Sequence, residues 1–234
     1  MTRLRLCLTA FVACSALTDS NRVAAQAIVL RSGNGAVGAN DSSVKMLVGP
    51  VDSAFGSAFT AADFTSARTG AAAPIITPNS AWISSLAGDS TSKWISTNPT
   101  GAVEGSSALF AIDFTLPAGV TSATLSLNYA VDNQLGSAVN QGVFLNGTAI
   151  SGSSVGGNFI QEFSLTRSDI GPLLVAGTNT LYLNMTDFGG PSGLLFRATI
   201  TPVPEPTGLL VGGLGLAAAV RLRRAFRRPT VAVA

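Results

Sequence analysis

Histidine is absent from this 234-residue chain. Ser-His-Asp and Cys-His hydrolysis and every imidazole-based metal site are excluded with it, which leaves carboxylate pairs or oxygen-ligated calcium as the catalytic and metal options. Cysteine is almost absent: Cys7 and Cys14 are the only two, and both precede residue 28. Once the segment that carries them is removed, no disulfide, thiol nucleophile or thiolate metal site can form. Charged residues make up only 11% of the chain, and no long stretch of it has apolar residues at helical spacing.

What is present is clearest at the two ends. Arg3 and Arg5 precede an apolar stretch from Leu6 to Leu17, and Ala25-Gln26-Ala27 puts small residues, Ala25 and Ala27, where a signal peptidase reads them. Residues 1–27 are therefore expected to be an export signal, cut after Ala27. Cys14 follows Val12-Ala13 as in lipoprotein signals, but Phe11 fits that pattern poorly.

At the other end, Pro202, Pro204 and Pro206 hold the backbone extended, so no helix can begin before Pro206. From Thr207 to Val220 there is no charge, and then come Arg221, Arg223, Arg224, Arg227 and Arg228. Arginines following an apolar run are the cytoplasmic anchor of a membrane helix. The run has 14 residues, short of the roughly 17–25 that cross a bilayer, although snorkelling of Arg221 and Arg223 extends it. Such a span suits a transient anchor.

The order Pro204-Glu205-Pro206, short glycine-rich apolar helix, arginine cluster resembles the PEP-CTERM sorting signal of Gram-negative bacteria. The resemblance covers about the last 30 residues, with two departures: the helix is short, and six residues trail the arginines. It implies that Pro204, Glu205 and Pro206 are read by an exosortase, a membrane enzyme of transpeptidase type, that the chain is held briefly in the inner membrane, and that it then goes to the envelope or exopolysaccharide matrix.

Charge supports the division. Eight of the 14 basic residues lie in the two end segments, and between Ile28 and Thr201 six basic residues face ten acidic ones, a net charge of −4. The basicity of the whole chain belongs to its targeting signals, and nucleic-acid binding loses its support.

Residues 28–201 read as one all-β domain, an antiparallel β-sandwich of jelly-roll type with its core at roughly 80–201. Phe110, Ile112, Phe114 and Leu116 alternate, as do Leu125, Leu127, Tyr129 and Val131, and later Leu181, Leu183 and Met185. This spacing predicts half-buried strands of a sheet with one wet face. Asn146-Gly147 predicts a two-residue hairpin turn. A short helical piece is expected near 168–174 with Ser168 as its cap, and 53–73 is expected to be a loop or irregular edge.

The series Ile112-Asp113-Phe114, Leu125-Ser126-Leu127, Val131-Asp132-Asn133, Leu145-Asn146-Gly147 and Gly177-Thr178-Asn179 is similar to the galactose-binding-like jelly roll. That family includes sugar-binding modules, so the resemblance implies exopolysaccharide as a ligand.

The residues themselves leave the site open. Trp82 and Trp94 are candidate stacking platforms for sugar rings, or core packing. Asp132 and Asn133, at a strand end, are candidates for bonding hydroxyls or calcium, or for capping a turn, and Asp187 has the same two readings. No cofactor and no metal site are expected. Catalysis has thin support, because Glu104 and Glu162 are the only glutamates between residues 28 and 201 and nothing in the sequence pairs either with a second carboxyl. Both are expected in solvent. Non-enzymatic sugar binding leads; a structural or adhesive matrix role without a sugar site, and a carboxylate-dependent glycan hydrolase, are the alternatives.

Overall fold

The computed structural model describes residues 26–203, apart from 118, 119, 121 and 155. Ala25, the motif Pro204-Glu205-Pro206, the apolar run and the arginine cluster lie outside the described residues. Among the described residues no helix is long and apolar enough to cross a membrane.

The chain forms β1 (Ile28–Arg31), β2 (Asn40–Val48), α1 (Ala61–Thr69), β3 (Ala71–Pro74), β4 (Ala108–Leu116) and β5 (Ala123–Asp132). There follow β6 (Gln134–Leu135), β7 (Val143–Leu145), β8 (Thr148–Ala149), β9 (Phe163–Arg167), a 3-10 turn at Gly171–Leu173, β10 (Gly177–Thr186) and β11 (Gly193–Pro202). Two antiparallel sheets result, one ordered β1-β11-β5-β9 and the other β3-β2-β4-β10-β7-β8, with β6 also paired to β10. From β4 onward the chain passes repeatedly from one sheet to the other, the winding of a jelly-roll sandwich.

Alternation correctly predicts which residues face the centre. Phe110, Ile112, Phe114 and Leu116 of β4 and Leu181, Leu183 and Met185 of β10 meet Leu125, Leu127, Tyr129 and Val131 of β5 in one core. The expectation that these runs share a sheet with a wet face is corrected on both counts. Only β4 and β10 are neighbours, with Leu183 opposite Phe110, and β5 lies in the other sheet. The far side of β10 is also enclosed, so that Asn179 to Thr186 are all buried.

What covers that side is α1, in the segment expected to be a loop. Thr60 and Asp63 form a reciprocal capping box, with the Thr60 N–H donating to the Asp63 carboxylate at 2.7 Å. Phe64 and Ala67, one turn apart, are then driven against Leu109, Ala111, Phe144 and Tyr182. The Phe64 ring lies 4.9 Å from that of Tyr182 and 5.2 Å from that of Phe144. Two apolar contacts in nine residues are too few to register as a helical stripe.

Three smaller expectations resolve as follows. Asn146 and Gly147 take φ of 52° and 83° with Leu145 opposite Thr148, which is the two-residue hairpin. The 3-10 turn begins after Ile170 without a side-chain cap, so Ser168 does not cap it. The core extends beyond 80–201, because Leu30, Val44, Met46, Ala73 and Ile75 belong to it.

Ile28 pairs with Ile200, so the first and last strands bring residues 27 and 203 to one pole of the sandwich. Gly193 pairs with Asp132 at the far end of the same sheet. The ten residues of β11 separate the poles by roughly 30 Å.

Candidate functional site

At the pole remote from residues 27 and 203, β5 and β10 both end and release a polar sequence: Asp132-Asn133 from one, Asp187-Phe188 from the other. Asn133 joins them. Its backbone N–H donates to the Thr186 carbonyl at 3.3 Å, its side-chain oxygen accepts from the Phe188 N–H at 2.6 Å, and its amide nitrogen donates to Asp132 Oδ1 at 3.0 Å. The Asp132–Asn133 peptide bond is cis.

Asp187 organises the opposite side. Its carboxylate accepts from the N–H groups of Asp52 (3.2 Å) and Gly189 (3.1 Å), and its own N–H donates to Ser107 Oγ at 2.8 Å. Gly189 and Gly190 have φ of 117° and 75°, the left-handed range that glycine tolerates, and reverse the chain just after Phe188. Phe188 is left standing outward with 56% of its surface exposed. Val51 and Val103, on loops hydrogen-bonded to this turn or adjacent to one, are exposed as well.

The two tryptophans do not do what a stacking platform requires. Trp82 is 7% and Trp94 1% exposed, and their rings lie 4.3 Å apart, packed with Ile76, Leu86, Ala130 and Leu195 against the outer side of the β11–β5 sheet. Neither has a face for a sugar ring. Their indole N–H groups are committed inward, Trp94 to the Ile83 carbonyl and Trp82 to Asp132 Oδ2, both at 2.8 Å. Gly193 passes so close beneath Trp82 that a Cβ there would come within 2.7 Å of the ring.

Asp132 is thus the bond between buried indole and surface amide. It is only 3% exposed. Burial raises its carboxyl to about 6, the Asp187 charge pushes the same way, and the Trp82 hydrogen bond opposes them. Among the described residues no group of three or more acidic, histidine or cysteine side chains could hold a metal ion.

The remaining candidates lie apart from this cluster. Ala27 is exposed immediately before β1. Glu104 is exposed, as expected. Glu162 is not free in solvent: it accepts hydrogen bonds from the Ala87 N–H at 2.6 Å and Asn128 Nδ2 at 2.5 Å. Phe188 escaped the sequence reading because the tryptophans drew the aromatic role; its one signal was its position between Asp187 and the Gly189-Gly190-Pro191 turn.

No family model matches the chain, and no curated protein matches it. Among solved structures it is similar to a family 35 carbohydrate binding module from Clostridium thermocellum, at 13% identity and a TM-score of 0.34, over 75% of this chain and 98% of that one.

Proposed function

We propose that this chain is an exported, non-enzymatic protein of the envelope or extracellular matrix of a Gram-negative bacterium, and that its β-sandwich binds exopolysaccharide at the Asn133–Phe188 pole. On this reading residues 1–27 direct export. The tail 202–234 holds the chain in the inner membrane through residues 207–220 until an exosortase-type enzyme acts at Pro204-Glu205-Pro206.

The observation that carries the binding half is Phe188. It is an exposed aromatic beside Asn133, whose side-chain amide is held by two hydrogen bonds, and an aromatic face with an adjacent oriented amide is the chemistry that takes a sugar ring and its hydroxyls. The geometry suits the sorting half too, since the pole that carries Phe188 is the one remote from the tail. A non-enzymatic role is supported by the engagement of Glu162 in structural hydrogen bonds, which leaves it a poor member of a carboxylate pair.

Each half has its own test. Deleting Pro204 to Arg228 is expected to leave the body exported but at its unprocessed mass and released from its normal location. Identical mass and location for both forms contradict the sorting half. For the binding half, the full chain is expected to be retained on exopolysaccharide purified from the producing cells, and passage without retention contradicts it.

A further inference from the structure

We infer that the cleft beside β1 is a second binding site, one that takes the carboxylate of an acidic sugar residue. This rests on the proposal that the sandwich binds polysaccharide, and it names one chemical class of it. The cleft has a volume of about 420 Å³, enough for one or two sugar rings on the usual scale of ligand pockets, roughly 300–1,000 Å³. One wall is β1, which pairs with β11 on one side and stands at the sheet edge on the other, so main-chain groups are available for sugar hydroxyls. Asn34, Ser43 and Thr91 add short polar side chains, and Arg31 and Lys93 supply charge.

The charge is unusual for its place. The body carries a net −4 and has six basic residues, yet two of them, Arg31 and Arg197, share a single carboxylate, Asp89, and a third, Lys93, lines the same cleft as Arg31. Arg31 stands opposite Arg197 in the strand register, and both approach Asp89, Arg31 through a hydrogen-bonded ion pair at Nε and Arg197 at 3.8 Å. Burial alone would raise Asp89, but hydrogen bonds from Thr91, Arg31 and Ser92 hold it well below the usual carboxylate range, so it carries a full negative charge and only one. Arg197 Nε is buried without a hydrogen-bond partner. Lys93 spends two donors on the carbonyls of Gly35 (2.7 Å) and Gly33 (3.3 Å), which carry no formal charge to balance it.

The acid in the cleft wall does not cancel this. Asp113 receives Arg68 Nε on both carboxylate oxygens at 3.0 Å and the Thr180 hydroxyl at 2.6 Å. Asp41, whose carboxylate accepts from the N–H groups of Gly33, Asn34 and Ser43 behind the same wall, offsets one of the remaining charges. One unmatched positive charge is left beside a polar cleft, and among the described residues the Arg31 Nη groups have no protein acceptor. A planar carboxylate meets that guanidinium fork and the ammonium together, while a neutral sugar cannot.

The test is calorimetric titration of the full chain with trigalacturonate and with its methyl ester, which differs in losing the negative charge. The acid is expected to bind roughly tenfold or more tightly than the ester. Lys93→Gln should weaken acid binding by a similar factor and Lys93→Arg should retain it. Because Lys93 also ties down the 33–35 loop, Ser43→Glu is the second probe: it sets a negative charge on the cleft wall and should abolish binding of the acid. Phe188→Ala should leave trigalacturonate binding intact while it weakens binding of neutral exopolysaccharide fragments about fivefold or more. Equal affinity for acid and ester overturns the inference, as does acid binding that survives both Ser43→Glu and Lys93→Gln. Loss of acid binding in Phe188→Ala alone also overturns it and leaves the proposed function standing. Failure of neutral fragments to bind, with acid binding dependent on Ser43 and Lys93, overturns the Phe188 reading instead.

Discussion

Trp82, with Trp94 packed against it, bonds to Asp132, Phe188 bonds to Asn133 through its N–H, and the aromatics on the two sides of this pair do opposite things. The tryptophans are 7% and 1% exposed and fill the outer side of a sheet, whereas Phe188 is 56% exposed at the tip of a glycine turn. Residue type alone favours the indoles as a sugar platform. What decides is covering: the segment from Ile76 to Trp94 folds back across Ala130 and Leu195 and seals the indoles in, while among the described residues Phe188 and Gly190 stay exposed. Asp132 links the two halves, taking the Trp82 N–H on one oxygen and the Asn133 amide on the other.

The division can be broken from its structural side first. Trp94→Ala opens a large cavity at a fully buried site and is expected to cost about 3–5 kcal/mol in guanidinium unfolding; a cost below about 1 kcal/mol would mean that the indole is not core. Next in size is a pH effect. Asp132 titrates near 6 in the folded protein against an ordinary 3.8. Between these values the folded chain holds a proton that the unfolded chain has lost. Its contribution is fully present below the ordinary value and disappears as pH rises through about 6, on the order of 2–3 kcal/mol. Asp132→Asn should flatten that slope in melts taken from pH 4 to 7, and an unchanged slope would assign it elsewhere.

Trp82→Phe keeps much of the packing but removes the N–H that serves the Asp132 carboxylate. A loss of about 1–2 kcal/mol is expected at pH 7, shrinking below pH 5 where the carboxyl is protonated; a pH-independent loss would point to packing alone. The smallest effect belongs to the other side of the comparison. Phe188→Ala should change stability by no more than about 0.5 kcal/mol, and a larger loss would make Phe188 part of the fold.

How much of this the sequence carried depends on whether the cause is local. The inward faces of β4, β5 and β10 are written as alternation, and the Asn146-Gly147 turn as two residues that accept positive φ. α1 was hidden, because Ala61, Ala62, Ser66 and Ala67 show no apolar stripe and its role depends on Phe144 and Tyr182, which arrive from far along the chain. The faces on which strands were expected to be wet could not be judged without knowing of that cover. Asp132 and Asn133 were legible as a polar strand end, but their connection to Trp82 and Phe188 was not. Arg31 and Arg197 become neighbours only through the pairing of the first and last strands.

The claim that most needs testing is that the exposed aromatic, and not the buried pair, meets the polysaccharide. Titrating neutral exopolysaccharide fragments into the wild-type chain and into folded Phe188→Ala, with both melting at the same temperature, addresses it directly. The substitution is expected to remove roughly 1 kcal/mol or more of binding, a loss of about fivefold or greater. Equal affinity in the two proteins would contradict it.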